Sequence, residues 1–531
     1  MLTLLLIMAM FGQGQSLVLY GNEFITAFPD NVASFYPYVS RNSLNVTALY
    51  NDTEVIVYYQ GSPLYDTIMF QGQTQNFSLP WDVEESKLNQ SLKTVRVVSS
   101  RSIVVMSISV KGDSMQTNVL WPYRSLGWTY SIPILSYSGI LSTFYQDPQY
   151  VSERYKFFRL LVINAVGSTN NITIIRKTQH SETVELQPWA FLQLQLNDSE
   201  IAVGGSYKVA VILAHPCMEM TKCHCNMVVN QLSPDGWWGN NFVVPYINNM
   251  TWMHVTESCY WPHSTQAAGT LDPIKSGGQH ITTTYPSSLR IISPGIIIEV
   301  IPEHLFSACY LVHFGLTYGS VLVIAKTALK SDVYIDSKLL VSNNWVTIAD
   351  TEYSVASVSL NDRHVIWHPT SKIAVYSFRQ MASGTPYGST AVPLSDNPDP
   401  AGCLFYPAAF TVVSQPMSWT ESYEYCSTYS DELATPSTEI SHMALANFLA
   451  TAESNEYWIG LRRSLFTLDW YWQDGNHSVD FSYMQWSSGQ PGDPTMGMCA
   501  SIFSNMTWNS VSCCNTFMPI CYNRPDYFPM K

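Results

Sequence analysis

Short apolar or alternating runs, separated by Gly, Pro, Asn and Ser, dominate the chain from residue 17 to about residue 394. Residues 54–59 and 102–108 are mainly apolar, whereas residues 191–196 alternate between apolar and polar side chains. β-Branched and aromatic residues are frequent in such runs, and helical periodicity is almost absent. The pattern predicts an all-β region over residues 17–394.

Weak internal similarity in this region bears on the number of β-units. An apolar run, a polar turn and a second strand recur three times, at residues 44–59, 159–175 and 320–335. Each set precedes a strand in which Ser and a basic residue lead into apolar residues, at residues 100–105, 206–211 and 371–375. The recurrence predicts two or three related β-sandwich units. Similar strand composition alone accounts for it equally well, so both interpretations stay open.

The character of the sequence changes after residues 395–402, a polar stretch with two prolines and no periodicity. Such a stretch is typical of a linker. Helical signals are present from Cys403 onward. We therefore predict a separate domain over residues 403–531.

Two helices are predicted near the start of this domain. Residues 418–421 have the Ser-x-x-Glu form of a capping box, and Trp419, Tyr423 and Cys426 then share one helical face. The second helix is predicted to begin at Thr435, with a proline in its first turn. Its expected buried stripe consists of Ile440, Met443, Ala444 and Phe448.

The N-terminal end has the pattern of an export signal. Residues 2–11 are apolar apart from Thr3, and small polar residues follow, which predicts a secretory signal peptide over residues 1–16. A buried core strand is the alternative. No later run reaches the roughly 18 apolar residues of a membrane span, since even residues 291–301 contain Pro294 and Glu299. We expect a secreted, extracellular protein without a membrane span.

Composition supports the same expectation. The chain has 26 Lys and Arg against 40 Asp and Glu, a formal charge of -14, which disfavours nucleic acid or an anionic membrane as partner. Asn-x-Ser/Thr sequons, potential N-glycan sites in a eukaryotic secretory pathway, begin at Asn45, Asn51, Asn76, Asn89, Asn171, Asn197, Asn249, Asn476 and Asn505. The expected partner is a glycan or an extracellular protein.

The C-terminal domain carries an ordered set of motifs. They are Trp458-Ile459-Gly460-Leu461, the aromatic run 470–475, Trp486, Gln490-Pro491, Cys499, Trp508-Asn509, Cys513 and Cys521. This order resembles the C-type lectin-like fold, which implies an α+β domain. The resemblance also implies two disulfides, Cys426 with Cys521 and Cys499 with Cys513.

The resemblance also defines where calcium is held in sugar-binding relatives. There the ligands come from a Glu-Pro-Asn or Gln-Pro-Asp tripeptide, a Glu two residues before a cysteine, and a Trp-Asn-Asp tripeptide. This chain has Gly492, Gly497 and Ser510 at three of those positions, and only Gln490 and Asn509 keep ligand character. Calcium needs about six to eight oxygen ligands, several of them charged, so we expect no calcium cofactor.

Binding without calcium is the expected mode. The candidate ligand-binding residues are Gln490, Pro491, Asp493, Asn509, Trp508 and Trp486. Asp493 lies one residue late for a calcium ligand and substitutes only if the loop bulges. The tryptophans offer flat apolar faces to a sugar or a protein anchor, whereas the alternative is that most of them are core residues, as we expect for Trp458.

Residues 17–395 resemble a second family, that of the IgGFc-binding protein N-terminal domain. The resemblance rests on the opening strand at residues 21–29, on Cys217, Cys223 and Cys225, and on residues 230–234 with Trp238-Gly239. It implies a mucus or extracellular-matrix type of protein, although we assign no residue to Fc binding. The fold class expected for the whole chain is a mostly β N-terminal region plus an α+β lectin-like domain.

Eleven cysteines fall in two clusters. In the first cluster we expect one bridge from Cys217 to Cys223 or Cys225, and another from Cys259 to Cys309. Cys403 and Cys514 are left over, to pair with each other or with another chain. Because the total is odd, at least one thiol is free or intermolecular, which allows a disulfide-linked oligomer.

Catalytic motifs are absent from the sequence, with no Gly-x-Ser-x-Gly, no His-Glu-x-x-His and no phosphate-binding glycine loop. We therefore expect no enzyme. The leading hypothesis is a secreted recognition or adhesion glycoprotein that binds a glycan or protein through its lectin-like module. The alternative is a structural component of mucus or extracellular matrix.

Overall fold

The computed structural model describes residues 17–33, 39–112, 114–136, 139–140, 157–176, 181–196, 201–221, 224–247, 251–257, 271–293, 295–341, 344–380, 386–450, 456–473, 483–495 and 497–530. The chain divides into two compact units. The N-terminal unit comprises Met1–Cys403 with Phe528–Lys531, and the lectin-like unit comprises Leu404–Tyr527. The predicted signal peptide and Cys259 lie outside the described residues. In the part of the chain that is described, no helix is long and apolar enough to cross a membrane.

The N-terminal unit contains four β-units in chain order. The first consists of β1 (Gly21–Pro29), β2 (Arg41–Ala48), β3 (Thr53–Tyr59), β4 (Ser62–Met69), β5 (Thr74–Ser78), β6 (Glu84–Glu85), β7 (Gln90–Ser91), β8 (Thr94–Lys111) and β9 (Ser114–Val119). The second consists of β10 (Gly127–Ile132), β11 (Arg159–Asn164), β12 (Asn170–Arg176), β13 (Glu182–Leu186), β14 (Phe191–Gln195), β15 (Ile201–Thr221) and β16 (His224–Gln231). Strand pairing links the first two β-units, because β7 of the first pairs with β14 of the second.

The third and fourth β-units complete the N-terminal unit. The third consists of β17 (Gly239–Val244), β18 (Trp252–Glu257), β19 (Asp272–Pro273), β20 (Gln279–Ser293) and β21 (Ile296–Glu299). The fourth consists of β22 (Cys309–Lys326), β23 (Tyr334–Ile335), β24 (Lys338–Leu339), β25 (Val346–Thr347), β26 (Tyr353–Trp367), β27 (Ala374–Gln380), β28 (Pro386–Thr390) and β29 (Val392–Ser395). Pairing among the described strands of the N-terminal unit is antiparallel except between β1 and β6. The predicted mostly β region is confirmed.

A recurring contact marks the start of three β-units. Gly21, Gly127 and Gly239 each lie against a proline that precedes a 3-10 turn: a Cβ on them would come within 2.7, 2.5 and 2.5 Å of Pro122, Pro234 and Pro302. Only glycine allows the strand to approach each proline so closely. The four strands β9, β16, β21 and β28 contact one another in a closed cycle. The glycine–proline contact thus recurs at the first strand of three of the four β-units.

A buried ion pair lies at the third β-unit. The guanidinium of Arg290 is fully buried, donates to the Thr256 hydroxyl at 3.1 Å and lies 3.7 Å from the Glu299 carboxylate. Glu299 also accepts hydrogen bonds from the hydroxyls of Ser233 and Ser288. A charge buried this completely depends on its partners, because burial otherwise favours its neutral form.

Asp235 gives this region a pH dependence. Burial raises the pKa of Asp235 from 3.8 to about 6, against the opposing effect of hydrogen bonds from the Ser131 amide and hydroxyl at 2.7 and 2.9 Å. Between pH 4 and 6 the folded state therefore binds more protons than the unfolded state, and stability falls as pH rises. We expect Asp235→Asn to raise the free energy of unfolding at pH 7 by on the order of 2 kcal/mol. Urea unfolding at pH 4.5 and 7 checks this, and an unchanged pH dependence would contradict it.

The lectin-like unit combines two helices with short strands. Its elements are β30 (Leu404–Tyr406), β31 (Ala409–Val412), α1 (Trp419–Tyr429), β32 (Glu432–Leu433), α2 (Glu439–Leu449), β33 (Glu456–Arg463), β34 (Trp470–Trp472), β35 (Cys499–Phe503), β36 (Trp508–Val511), β37 (Met518–Asn523) and β38 (Asp526–Tyr527). The capping box at the start of α1 is confirmed, since the Ser418 hydroxyl and the Glu421 carboxylate each bind the other residue's backbone amide. Trp419 and Cys426 are buried on the face predicted.

The second helix corrects two predictions. It begins at Glu439 after an N-cap at Thr438, not at Thr435. Its buried residues are His442, Leu445 and Leu449, whereas all four residues of the predicted stripe are exposed. The sequence offered apolar residues on both faces of α2. Packing against the strands selected the face with Leu445 and Leu449, which join the core with Ile459 and Trp508.

Three disulfides are as expected, and a fourth, Cys309–Cys403, contradicts both the Cys259–Cys309 prediction and the expectation that Cys403 pairs with Cys514 or with another chain. Bridges join Cys426 to Cys521, Cys499 to Cys513 and Cys217 to Cys225. The Cys259–Cys309 prediction is overturned, because Cys309 is bonded to Cys403 across 94 residues. Ala308 also donates a backbone hydrogen bond to Ser395, so β29 brings the chain back beside Cys309 just before Cys403. The N-terminal unit therefore ends at Cys403, directly after the predicted linker at residues 395–402.

Candidate functional site

The loop that follows Trp486 is held by its own side chains. The amide oxygen of Gln490 accepts three hydrogen bonds, from the Gly492 amide at 3.0 Å, the Ser510 amide at 3.2 Å and the Ser510 hydroxyl at 2.7 Å. The Ser510 oxygen in turn accepts from the Gly492 amide at 2.8 Å. The amide oxygen of Gln490 is therefore occupied by hydrogen bonds that hold the loop against β36. An oxygen with three donors around it is poorly placed to bind a cation.

Gly497 lies two residues before Cys499, where sugar-binding relatives have a Glu that binds calcium. A Cβ at Gly497 would lie 2.6 Å from both the carbonyl carbon of Ser510 and the amide nitrogen of Val511. These are backbone atoms of β36, which cannot swing away as a side chain can. Any residue larger than glycine would push the two strands apart, so no acidic side chain fits here without movement of the sheet.

The remaining polar candidates do not complete a shell. One oxygen of Asp493 accepts from the amide and hydroxyl of Thr495 at 2.8 and 2.7 Å, and these bonds lower the pKa of its carboxyl. Pro491 is exposed and follows a cis peptide bond, while Asn509 is half-buried on β36 opposite Ser501. Across the described residues, no three His, Cys, Asp or Glu side chains form a metal-binding group. The side chains at this loop do not fit a calcium ion.

Arg463, the last residue of β33, contacts this loop and was not predicted from the sequence. Its guanidinium donates to the Gly492 carbonyl at 3.3 Å and lies 4.7 Å from the centre of the Trp470 ring. The side chain is almost fully buried, so it adds a second internal support to the same loop. The signal available in sequence was its place at the end of the Trp-Ile-Gly-Leu strand, two residues after Leu461.

The two candidate tryptophans differ in their access to solvent. Trp508 is 0% exposed and packs edge-on against Trp472 and Trp486, with ring centres 5.4 and 5.8 Å apart. It is a core residue, and no face of its ring is open to a ligand. Trp486 is half-buried between Trp508 and Trp470 and keeps an outer edge at the surface. Of the two, Trp486 alone remains available for contact.

Apolar side chains are exposed at another place, which sequence analysis missed. The turn between β33 and β34 carries Leu465, Phe466 and Leu468, which we call the hairpin tip. Phe466 is 97% exposed, and the other two are more than a third exposed. Exposed apolar clusters of this kind are typical of contact surfaces. The available signal was three large apolar residues within a turn, where polar residues are the rule.

Two helices, the strand order β31-β37-β33-β35-β36, and the two disulfides define the C-terminal unit as a C-type lectin-like domain. Residues 415–523 match the family model of the lectin C-type domain. Residues 116–283 match the family model of the IgGFc binding protein, and this segment runs from β9 into β20 of the N-terminal unit. Both resemblances seen in the sequence are confirmed.

Three human proteins illustrate these relationships. The human IgGFc-binding protein is 28% identical over 181 residues, which is 32% of this chain and 3% of that protein. The human C-type mannose receptor 2 is 28% identical over 112 residues, 21% of this chain and 7% of the receptor. The human C-type lectin domain family 17, member A is 32% identical over 106 residues, 20% of this chain and 26% of that protein. The chain thus spans only a small part of the length of each relative.

Replacing Gly497 tests the closed loop. We expect Gly497→Ala to lower the free energy of unfolding of the lectin-like unit by about 1–3 kcal/mol, because its methyl group meets backbone. Gly492→Ala is the matched control: the nearest atom to its Cβ is the Ser510 hydroxyl oxygen at 3.5 Å, an ordinary contact. That variant should stay within about 0.5 kcal/mol of the parent. Urea unfolding followed by tryptophan fluorescence measures both variants, and equal free energies of unfolding would contradict the close backbone contact at Gly497.

Proposed function

We propose that the protein is a secreted recognition or adhesion glycoprotein whose lectin-like unit binds a glycan or protein without calcium. The observation that carries the proposal is the Gln490 amide oxygen, whose three hydrogen bonds take the place of a metal contact. In this mode a sugar has no bound calcium ion to coordinate, so binding depends on protein atoms alone.

The hairpin tip is the favoured contact surface. Its three apolar side chains stand free of the core, and Phe466 is the most exposed aromatic ring among the described residues. An aromatic residue of this kind fits the anchor role at a protein or glycan interface, where apolar area is removed from water on binding. Trp486 contributes a second aromatic edge on the same lectin-like unit.

A binding screen on the full chain tests the proposal. Glycans and secreted proteins are screened in buffer with calcium and again with a chelator, and we expect any binding to persist unchanged. Phe466→Ser should then weaken binding by at least about tenfold, as for an interface anchor. The matched control is Tyr429→Ser, a 73% exposed aromatic residue on α1 that should leave binding unaltered. Binding that vanishes with the chelator would refute the proposal.

A second function is favoured by one observation. Cys514 is a free, exposed thiol that follows directly after the bridged Cys513. In an oxidising compartment such a thiol is open to cross-linking with another chain, as a mucus or matrix component requires. This alternative and the recognition function are compatible within one protein.

Electrophoresis without reductant tests the cross-linking function. We expect the secreted chain to run as a disulfide-linked species and Cys514→Ser to run as a monomer, because the variant lacks the exposed thiol. Ser512→Ala, a change in the same turn that keeps the thiol, serves as control. A monomer in the parent chain would count against this function.

A further inference from the structure

A groove lies between the first and fourth β-units. It has a volume of about 440 Å³, within the usual range for sites that hold a small organic ligand. One wall comes from the outer face of β2, β5, β8 and β9, and the other from β22, β26, β27 and β28. Neither the lectin-like resemblance nor the proposed contact surface involves this groove.

Two N-glycan sequons meet on the first wall. Asn45 on β2 and Asn76 on β5 are direct partners in the antiparallel pairing of these strands, and both line the groove. Their neighbours Leu44 and Val46 point into the core of the first β-unit, so the alternation of the strand directs Asn45 outward. The two attachment points therefore share one small area of surface.

Hydrogen bonds distinguish the two asparagines. The side-chain nitrogen of Asn76 donates to the Asn45 amide oxygen at 2.7 Å and to the Ser43 hydroxyl at 3.0 Å. Both of its hydrogens are thus engaged, and attachment of a sugar replaces one of them. The side-chain nitrogen of Asn45 has no hydrogen-bond partner among the described residues. A sugar on Asn45 leaves the bond from Asn76 intact.

The opposite wall suits a saccharide. The hydroxyls of Ser377 and Ser389, which are direct partners across β27 and β28, are able to donate hydrogen bonds to a sugar and to accept them from it. Arg379 and Tyr387 lie on the same face of these strands, and the guanidinium of Arg379 is fixed by a hydrogen bond to the Tyr387 hydroxyl at 2.9 Å. A few oriented polar groups of this kind fix the orientation of a ligand in a groove.

We propose that this groove holds an N-linked glycan carried by Asn45, whose first sugars pack against the fourth β-unit. The glycan then acts as a covalently tethered ligand that joins the first and last β-units where β9 and β28 meet. A sugar on Asn76 would replace one of the hydrogens bonded to Ser43 and Asn45, so the folded groove favours the glycan at Asn45. The proposal assigns a structural role to one sequon and is independent of the lectin-like unit.

Site occupancy and enzyme access test the proposal. The full chain is expressed in glycosylating eukaryotic cells, and glycopeptide mass spectrometry is expected to find sugar at Asn45 and none at Asn76. In the native protein, an endoglycosidase should release the Asn45 glycan at least about tenfold more slowly than the glycan at Asn171, because release requires local opening. Asn171 is the control, since it is exposed on β12 of the second β-unit. After denaturation, both glycans should be released at the same rate.

A variant of the opposite wall tests the same contact with the sequon unchanged. Arg379→Ala leaves Asn45 intact, so occupancy should stay as in the parent while the native glycan at Asn45 becomes as accessible as that at Asn171. Sugar at Asn76 but not at Asn45, or equal native release from Asn45 and Asn171, would overturn the proposal. An unmodified Asn45 together with binding of added N,N′-diacetylchitobiose to the groove would assign it to a separate saccharide, and would also overturn the proposal.

Discussion

Glu299→Ala is expected to lower the free energy of unfolding of the N-terminal unit by about 3–5 kcal/mol. The change leaves the fully buried Arg290 guanidinium without its nearest carboxylate and removes the acceptor for the hydroxyls of Ser233 and Ser288. Breaking one partner of a buried pair is costly because the remaining charge stays desolvated. Urea unfolding of the full chain, followed by circular dichroism, measures the loss.

An exposed ion pair supplies the control. Lys326 and Glu352 lie 2.9 Å apart, but their side chains are 40% and 59% exposed. Glu352→Ala removes the same carboxylate chemistry and should cost less than about 1 kcal/mol. If Glu299→Ala proved as mild as this control, Arg290 would not depend on Glu299 for its burial.

Trp508→Ala is expected to destabilise the lectin-like unit by about 3–5 kcal/mol, the usual cost of emptying a core position of this size. The ring is fully buried and contacts Trp472, Trp486 and His442, so its removal leaves a cavity with rigid aromatic walls. Thermal unfolding monitored in the tryptophan fluorescence band checks the value.

Trp486→Ala separates a core role from a contact role. This ring is only half-buried, so we expect it to cost less than about half as much stability as Trp508→Ala. If Trp508→Ala weakened ligand binding while the protein kept its stability, the assignment of Trp508 to the core would be wrong.

The helix α2 shows where sequence patterns stop being decisive. Ile440, Met443 and Leu445 are all apolar, so the 3.6-residue period alone allowed two faces. The structure buries the face with His442, whose Nε2–H donates a hydrogen bond to the Met506 carbonyl at 2.9 Å. This hydrogen bond lets a histidine lie on the buried face beside Leu445 and Leu449, which the hydrophobic pattern alone does not indicate. The capping box of α1 was predictable because its two hydrogen bonds involve residues three positions apart.

The same distinction between local and long-range features applies to the disulfides. The bridges Cys426–Cys521 and Cys499–Cys513 were available from the lectin resemblance, whereas Cys309 lay in a region without comparable motifs. Its partner depends on the course of β29, which no local pattern encodes. The cycle of β9, β16, β21 and β28 was equally hidden, since contacts between strands of different β-units have no sequence period.

At the candidate site, sequence established which calcium ligands are missing but not what replaced them. The motif shows that Ser510 stands where sugar-binding relatives have Asp, yet its hydroxyl bond to Gln490 depends on how the loop approaches β36. Likewise, the sequence shows only that position 497 lacks a carboxylate, whereas the nearby backbone of β36 is seen only in the structure.

The pairing of β30 with β38 brings Leu404 opposite Tyr527, so the lectin-like unit starts and finishes at neighbouring residues. A segment with adjacent ends can be lifted out and inserted into a surface turn of an unrelated scaffold, or rejoined end to end and opened elsewhere, without stretching its backbone. Transplantation of residues 404–527 into a carrier protein is therefore a practical way to produce this unit apart from the rest of the chain.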